Sequence, residues 1–263
     1  MELKGKSVSG LGTCLTAPSL KLVLDIGVCT PEALKCRDVL VTHAHVDHMA
    51  GAVQHAATRD LLGSKPSRFF AYRPVAEALV KVLELWRTLQ GEFKYEVVPM
   101  DFGEEYPLRR GMTVAVFETF HRVVSAGFVV YESRSKLKAE FKGVEGAEIG
   151  RLRKSGVEVT DTVKTPVLAY TGDTKVEALA DPLLKGVKVL VTECTYLIDV
   201  EVEFARKRGH IHVTEFNKVE LDCEALVLTH FSARYSLSDV EVLTVAELPA
   251  ALQDRFTLVT TGL

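Results

Sequence analysis

A chain of 263 residues with 47% apolar and 25% charged residues has the composition of a folded globular protein, and it is long enough to bury a sizeable core without disulfide staples. Its net charge of -3 excludes a uniformly basic nucleic-acid binder but leaves room for a local basic patch. The five cysteines, Cys14, Cys29, Cys36, Cys194 and Cys223, are scattered and form no CxxC pair, which excludes a disulfide framework and a zinc finger and points to a reducing cytosol. No apolar run approaches the ~18 to 20 residues that cross a bilayer, so the sequence predicts a soluble, cytoplasmic protein without a membrane partner. One domain spanning 1–263 is expected, without internal repeats.

In chain order, the first informative element is Val39-Leu40-Val41-Thr42, a β-branched run that leads straight into His43. Arg68 to Ala71 predicts a second strand. From Pro74 to Gln90 the residues Val75, Leu79, Val82, Leu83, Trp86 and Leu89 recur at helical spacing, with Pro74 suited to the first turn and Gly91 to the stop. The pattern predicts a packing helix that buries Trp86. Further strands are expected at Met112 to Phe117 and Gly127 to Tyr131. Then Val167 to Thr171 leads into Gly172-Asp173, Val189 to Thr192 into Glu193, and Leu226 to Thr229 into His230, before a last strand at Phe256 to Thr260. Short apolar runs lying between helices read as strands covered on both faces. The expected class is α/β, two mixed sheets sandwiched between helices. Such folds collect their chemistry at the carboxyl ends of strands, so four candidate ligand positions converge on one edge.

The segment His43-Ala44-His45-Val46-Asp47-His48 sets three imidazoles and a carboxylate within six residues, directly after a strand. In an extended turn His43 and His45 share one side, while Asp47 and His48 turn toward a second point as a helix begins, an arrangement that suits two metals. His121, Asp173 and His230 each lie just past an apolar run, and a carboxylate such as Asp173 can bridge two ions ~3.5 to 4 Å apart. Imidazole and carboxylate without thiolate favour zinc, with manganese or iron as substitutes. His55 and His212 read as solvent-facing or packing residues.

Taken together, the HxHxDH motif, His121, the Gly172-Asp173-Thr174 turn and His230 resemble the metallo-β-lactamase superfamily, whose fold is an αββα sandwich. More narrowly, His121 with Ser125-Ala126-Gly127-Phe128, and His230-Phe231-Ser232-Ala233-Arg234-Tyr235, resemble ribonuclease Z, the endonuclease family that trims precursor tRNA 3′ ends. The resemblance runs from roughly Leu22 to Tyr235. It implies two divalent ions, one on His43, His45, His121 and Asp173 and the other on Asp47, His48, Asp173 and His230, with Asp173 bridging. Asp47 would also orient or deprotonate the attacking water. Thr192-Glu193-Cys194-Thr195 looks like the family's HEAT element, and Gly209-His210 like the start of its GHST element. Held by Glu193, His210 would donate a proton to the leaving O3′. Glu215 also matches that region, and Arg234 would clamp phosphate. A homodimer is implied as well. The Pro-x-Lys-x-Arg-Asn loop that many members use to sense a CCA end is not evident in Thr13 to Lys21.

Between Glu132 and Gly156 seven bases stand against four acids, a local +3 on a chain of -3, which leaves -6 on the remainder. Such a segment concentrates attraction for phosphate, and Arg134, Lys136 and Lys138 are its candidate RNA contacts. It falls where ribonuclease Z relatives insert a tRNA-gripping arm, and a short arm is expected over 132–165. The competing reading keeps every metal ligand on the same fold but assigns a small substrate, as in a nucleotide phosphodiesterase or a glyoxalase II-like thioester hydrolase. That reading leaves the basic segment and His210 without a task. A non-catalytic RNA-binding scaffold is disfavoured because all seven ligands are present.

Overall fold

The computed structural model describes residues 1–198 and 200–260. Its first half runs β1 (Lys4–Ser9), β2 (Gly12–Ala17), β3 (Leu22–Leu24), β4 (Asp38–Val41), α1 (Val46–Met49), α2 (Ala52–Leu61), β5 (Ser67–Tyr72), α3 (Arg73–Gln90), β6 (Tyr95–Met100), β7 (Glu105–Arg109) and β8 (Met112–Glu118). The second half runs β9 (Ala126–Leu137), α4 (Gly146–Lys154), β10 (Thr160–Tyr170), β11 (Val187–Glu193), α5 (Val202–Arg208), β12 (Cys223–Thr229), β13 (Phe231–Ser232), α6 (Leu237–Glu247), α7 (Ala250–Gln253) and β14 (Phe256–Leu258). Two seven-stranded mixed sheets result, ordered β13-β1-β2-β3-β4-β5-β6 and β14-β12-β11-β10-β9-β8-β7.

Side-chain alternation explains why the central strands read as unbroken apolar runs. On β4, Leu40 joins Leu15, Leu24, Phe70, Phe128, Tyr170 and Val191 in the layer between the sheets. Its neighbours Val39 and Val41 point the other way, onto Val53 and Ala56 of α2 and Val75, Leu79 and Leu83 of α3. The second sheet repeats the arrangement, with Val191 inward and Leu190 packed outward with Val240 and Leu252 of α6 and α7. β4 lies parallel to β3 and β5, and β11 lies parallel to β10 and β12. The expected αββα sandwich is therefore present.

Two expectations are corrected or sharpened. Trp86 is not buried: it is 44% exposed, and Leu89 is exposed beside it, while α3 packs through Val75, Ala76, Leu79 and Leu83. An 18-residue helix spans about 27 Å, whereas a six-residue strand spans about 20 Å, so the last turns of α3 overrun the sheet. His55, by contrast, is fully buried, with Nε2 3.0 Å from the Ala33 carbonyl and Nδ1 2.9 Å from Ser67 Oγ.

Burial pushes the His55 pKa down to about 4. A lowered histidine pKa means that the unfolded chain binds the extra proton first, so His55 costs stability as pH falls from about 6.5 toward 4. The stability of the wild type relative to His55→Gln should fall by about 3 kcal/mol between pH 7 and pH 4 in urea titrations.

β9 and β10 extend well past the sandwich, pairing as far as Leu137 with Thr160. Their outer halves are largely exposed and are joined through α4, which buries none of its residues.

Candidate metal centre

The carboxyl ends of β4, β10, β11 and β12 meet at one edge, as the strand-end pattern predicts. His43 follows β4, α1 presents Asp47 and His48, Asp173 follows the Gly172 turn after β10, Glu193 ends β11, and His230 follows β12. Gly172 sits at φ +60°, where a Cβ would lie 2.6 Å from the Thr42 side chain; only glycine lets this turn close against β4. Gly27 is needed for a different reason, since its Cβ would fall 1.8 Å from the Asp47 carbonyl oxygen. The Ser125-Ala126-Gly127 element ties the two sheets together here. Ser125 bridges to His43, and the Ala126 N–H donates to the Thr42 carbonyl at 3.1 Å. His230 adopts a left-handed backbone at φ +61°, a strained conformation that recurs at functional sites.

Ligating atoms of His43, His45, His121 and Asp173 lie within 4.8 Å of one another, as do those of Asp47, His48 and His230 and those of Asp173, His210 and His230. The outward nitrogens fix how the rings are turned. His43 Nδ1 meets Thr42 Oγ1 at 3.0 Å, and that hydroxyl already donates to Asp25, so the ring must donate. His48 Nδ1 donates to Asp25 Oδ2 at 2.7 Å, and His121 Nδ1 donates to the Gly209 carbonyl at 2.8 Å. His230 Nδ1 lies 3.0 Å from Thr195 Oγ1, which itself donates to Glu193. The inner nitrogens are left facing each other: His43 Nε2 lies 3.0 Å from His45 Nδ1, and His48 Nε2 lies 3.1 Å from His230 Nε2. Among them sits Asp173, whose Oδ1 is buried without any hydrogen-bond partner. Lone pairs aimed at one point beside an orphaned carboxylate oxygen are costly unless a cation joins them, so these residues fit a divalent metal pair.

The charges follow the same geometry. Burial pushes the Asp173 carboxyl up, but His230, His48 and His43 outweigh it and hold the group well below the usual range. Burial likewise opposes ionisation of Asp47, yet His230 and His48 keep it low, and the Gly10 N–H donates to its Oδ2 at 2.8 Å. Glu193 is buried and accepts from Thr174 N–H, Thr195 and Ile211 N–H as well as from His210 Nδ1 at 2.8 Å. Burial lowers the His210 pKa, but the Glu193 charge and hydrogen bond, with Asp173 behind them, raise it to about 9. His210 Nδ1 lies 4.0 Å from Asp173 Oδ2, so the imidazolium stands against the ligand cluster.

The chain matches the Beta-lactamase superfamily domain over residues 28–231. It is 40% identical to tRNase Z TRZ1 of Arabidopsis thaliana across 99% of this chain and 95% of that one. The chain belongs to the tRNase Z family. A Ribonuclease Z of Metallosphaera sedula is 30% identical over 75% of this chain and 71% of its own. In fold, the short form of human tRNase Z matches with a TM-score of 0.62 at 19% identity, covering 98% of this chain and 96% of that one. The metallo-beta-lactamase fold protein YhfI of Bacillus subtilis matches at 0.64 with 13% identity, covering 99% and 97%.

In this tRNase Z family chain all seven sequence-predicted ligands, with Glu193 and His210, gather at one place. Arg234 stands nearby with its guanidinium 5.5 Å from the Tyr196 ring centroid. Arg134 and Lys136 lie instead on the outer half of β9 and Lys138 just beyond its end, where Arg134 pairs with Glu132 at 2.9 Å and Lys138 with Glu158 at 3.8 Å. Glu215 is a structural acid: it completes a capping box with His212 and pairs with Arg206 at 2.7 Å, which fixes the turn beyond His210. His212 is buried in the same cap. Sequence reasoning missed Asp25, a fully buried carboxylate that accepts from Thr42, His48 and, at 2.6 Å, the Tyr170 hydroxyl. Its signal was the strand-end pattern itself, Leu22-Val23-Leu24 running into Asp25.

Proposed function

We propose that the protein is a ribonuclease Z that removes 3′ trailers from precursor tRNA by metal-dependent phosphodiester hydrolysis. The observation that carries this reading is the partly buried His210–Glu193 pair set against the ligand cluster: a poor leaving group such as a ribose O3′ needs a proton donor, and a thiolate does not. We assign His43, His45, His121 and Asp173 to one divalent ion and Asp47, His48, Asp173 and His230 to the other, with zinc as the native metal and manganese as a substitute. When bound, the pair supplies an activated water and neutralises a non-bridging phosphate oxygen. Asp47, held ionised, orients the attacking water. His210 keeps Nδ1 on Glu193 and delivers the proton on Nε2 to O3′. Arg234 and the basic residues Arg134, Lys136 and Lys138 contact RNA phosphates, the latter three from a short arm within 132–165 of a single domain. Metal-loaded protein offered precursor tRNA with a trailer, a chromogenic phosphodiester and a glutathione thioester should shorten the tRNA and leave the thioester intact; preference for the thioester would favour the glyoxalase II-like alternative.

No helix among the described residues is long and apolar enough to cross a membrane. The cysteines are free, which supports assignment to a reducing cytosol. We further assign a homodimer. Its support is an apolar surface on the ends of α2 and α3, where Leu61, Leu62, Leu85, Trp86 and Leu89 are exposed. Sedimentation should give twice the 29.0 kDa chain mass, and Leu89→Glu should shift the protein to the monomer; a monomeric wild type would contradict the assignment.

A further inference from the structure

The loop and helix that follow Glu193 carry a pattern that neither metal ligation nor proton transfer uses. Arg208 lies over the Phe204 ring, 5.2 Å from its centroid, one turn apart on α5. Phe204 meets Tyr196 edge to face, with centroids 5.5 Å apart. Tyr196 in turn takes the Arg234 guanidinium over its ring at 5.5 Å and meets His210 at 5.9 Å. Two edge-to-face aromatic rings thus run between two cations in a ladder whose inner ring also meets the imidazole beside the metal cluster.

The ladder is not core packing. Ala205, Ile211 and Val213 supply the buried contacts of this segment, while Phe204 is left 39% exposed and Arg208 stands in solvent. Nor is it a loose helix face, because Arg206 pins α5 through ion pairs with Glu177 and Glu215. A fixed, exposed aromatic ring flanked by guanidinium groups is what an unpaired nucleotide recognises: the base stacks on the ring and a flanking phosphate meets the cation, without regard to sequence. Resting on the ribonuclease reading above, we propose that Phe204 and Arg208, backed by Tyr196 and Arg234, form a subsite for an unpaired nucleotide adjoining the scissile phosphate of the RNA.

The test is fluorescence anisotropy of the metal-loaded protein with a short, labelled, 2′-O-methylated single strand. Phe204→Ala and Arg208→Ala should each weaken binding about tenfold, and Arg208→Ala should also reduce the slope of log affinity against log salt by about one. Phe204→Trp, which keeps a stacking face, should bind like the wild type, and thermal melts of all three variants should match it. Undiminished binding by Phe204→Ala, or a loss in Phe204→Trp equal to that in Phe204→Ala, would overturn the subsite. A wild type that binds the strand through Phe204 but leaves precursor tRNA intact would uphold the subsite and sink the ribonuclease reading. Normal trimming of tRNA with undiminished binding by Phe204→Ala would do the reverse.

Discussion

Asp173→Ala is expected to strip the protein of metal and activity together. Asp173 stands between the two groups: its Oδ2 lies 3.8 Å from His43 Nε2 and 3.4 Å from His48 Nε2. Without it His43, His45 and His121 converge with no carboxylate among them, since Asp47 stands beside His48 and His230, and two neighbouring dications would repel each other with no anion between them. Elemental analysis should fall from two ions per chain to one at most, and phosphodiester hydrolysis should drop by on the order of 10³-fold or more, the equivalent of several kcal/mol of lost electrostatic stabilisation. Because Asp173 also offsets the buried rings in the apo protein, the variant's fold must be checked by circular dichroism before the metal content is read. A folded Asp173→Ala that keeps both ions would show that the bridge lies elsewhere.

His210→Ala should behave in the opposite way with respect to metal. The ring is hydrogen-bonded to Glu193, which is not among the seven assigned ligands, so both ions should remain while turnover on RNA falls by about 10² to 10⁴-fold, the usual worth of a positioned general acid. Leaving-group chemistry separates this role from a structural one. A nitrophenolate departs without a proton, so a nitrophenyl phosphodiester should lose far less rate than RNA in the same variant. Equal losses on both substrates, or loss of metal with activity, would make His210 a residue that shapes the site and not a proton donor.

Most of this centre can be read in the sequence because the fold spends its chemistry at strand ends. His43, Asp173, Glu193 and His230 each terminate a run of β-branched residues buried on both faces, and a polar residue in that position has few structural reasons to be there. The remaining groups of the site carry a short strand-end mark or none. β3 is only three residues long, so the carboxylate that follows it, Asp25, reads as one more loop acid even though it orients His48 and accepts from Tyr170 and Thr42. The donor to Asp47 is the backbone N–H of Gly10 in the β1–β2 turn, and a main-chain group carries no residue signature. Thr195 relays between Glu193, His210 and His230 through one hydroxyl, a role that only the assembled strands create. Trp86 departs from its expected burial for a different reason. Helical periodicity identifies the face of α3 that packs but not how far along the helix the sheet continues beneath it, and the last turns lie beyond that support.

The most direct measurement is to map both new ends after incubating the zinc- or manganese-loaded protein with a precursor tRNA carrying a 3′ trailer. Attack by water with departure of O3′ predicts a tRNA ending in a 3′ hydroxyl and a trailer beginning with a 5′ phosphate, produced only by the metal-loaded protein. A cyclic or 3′ phosphate on the tRNA, or an intact precursor in the presence of either metal, would contradict the account.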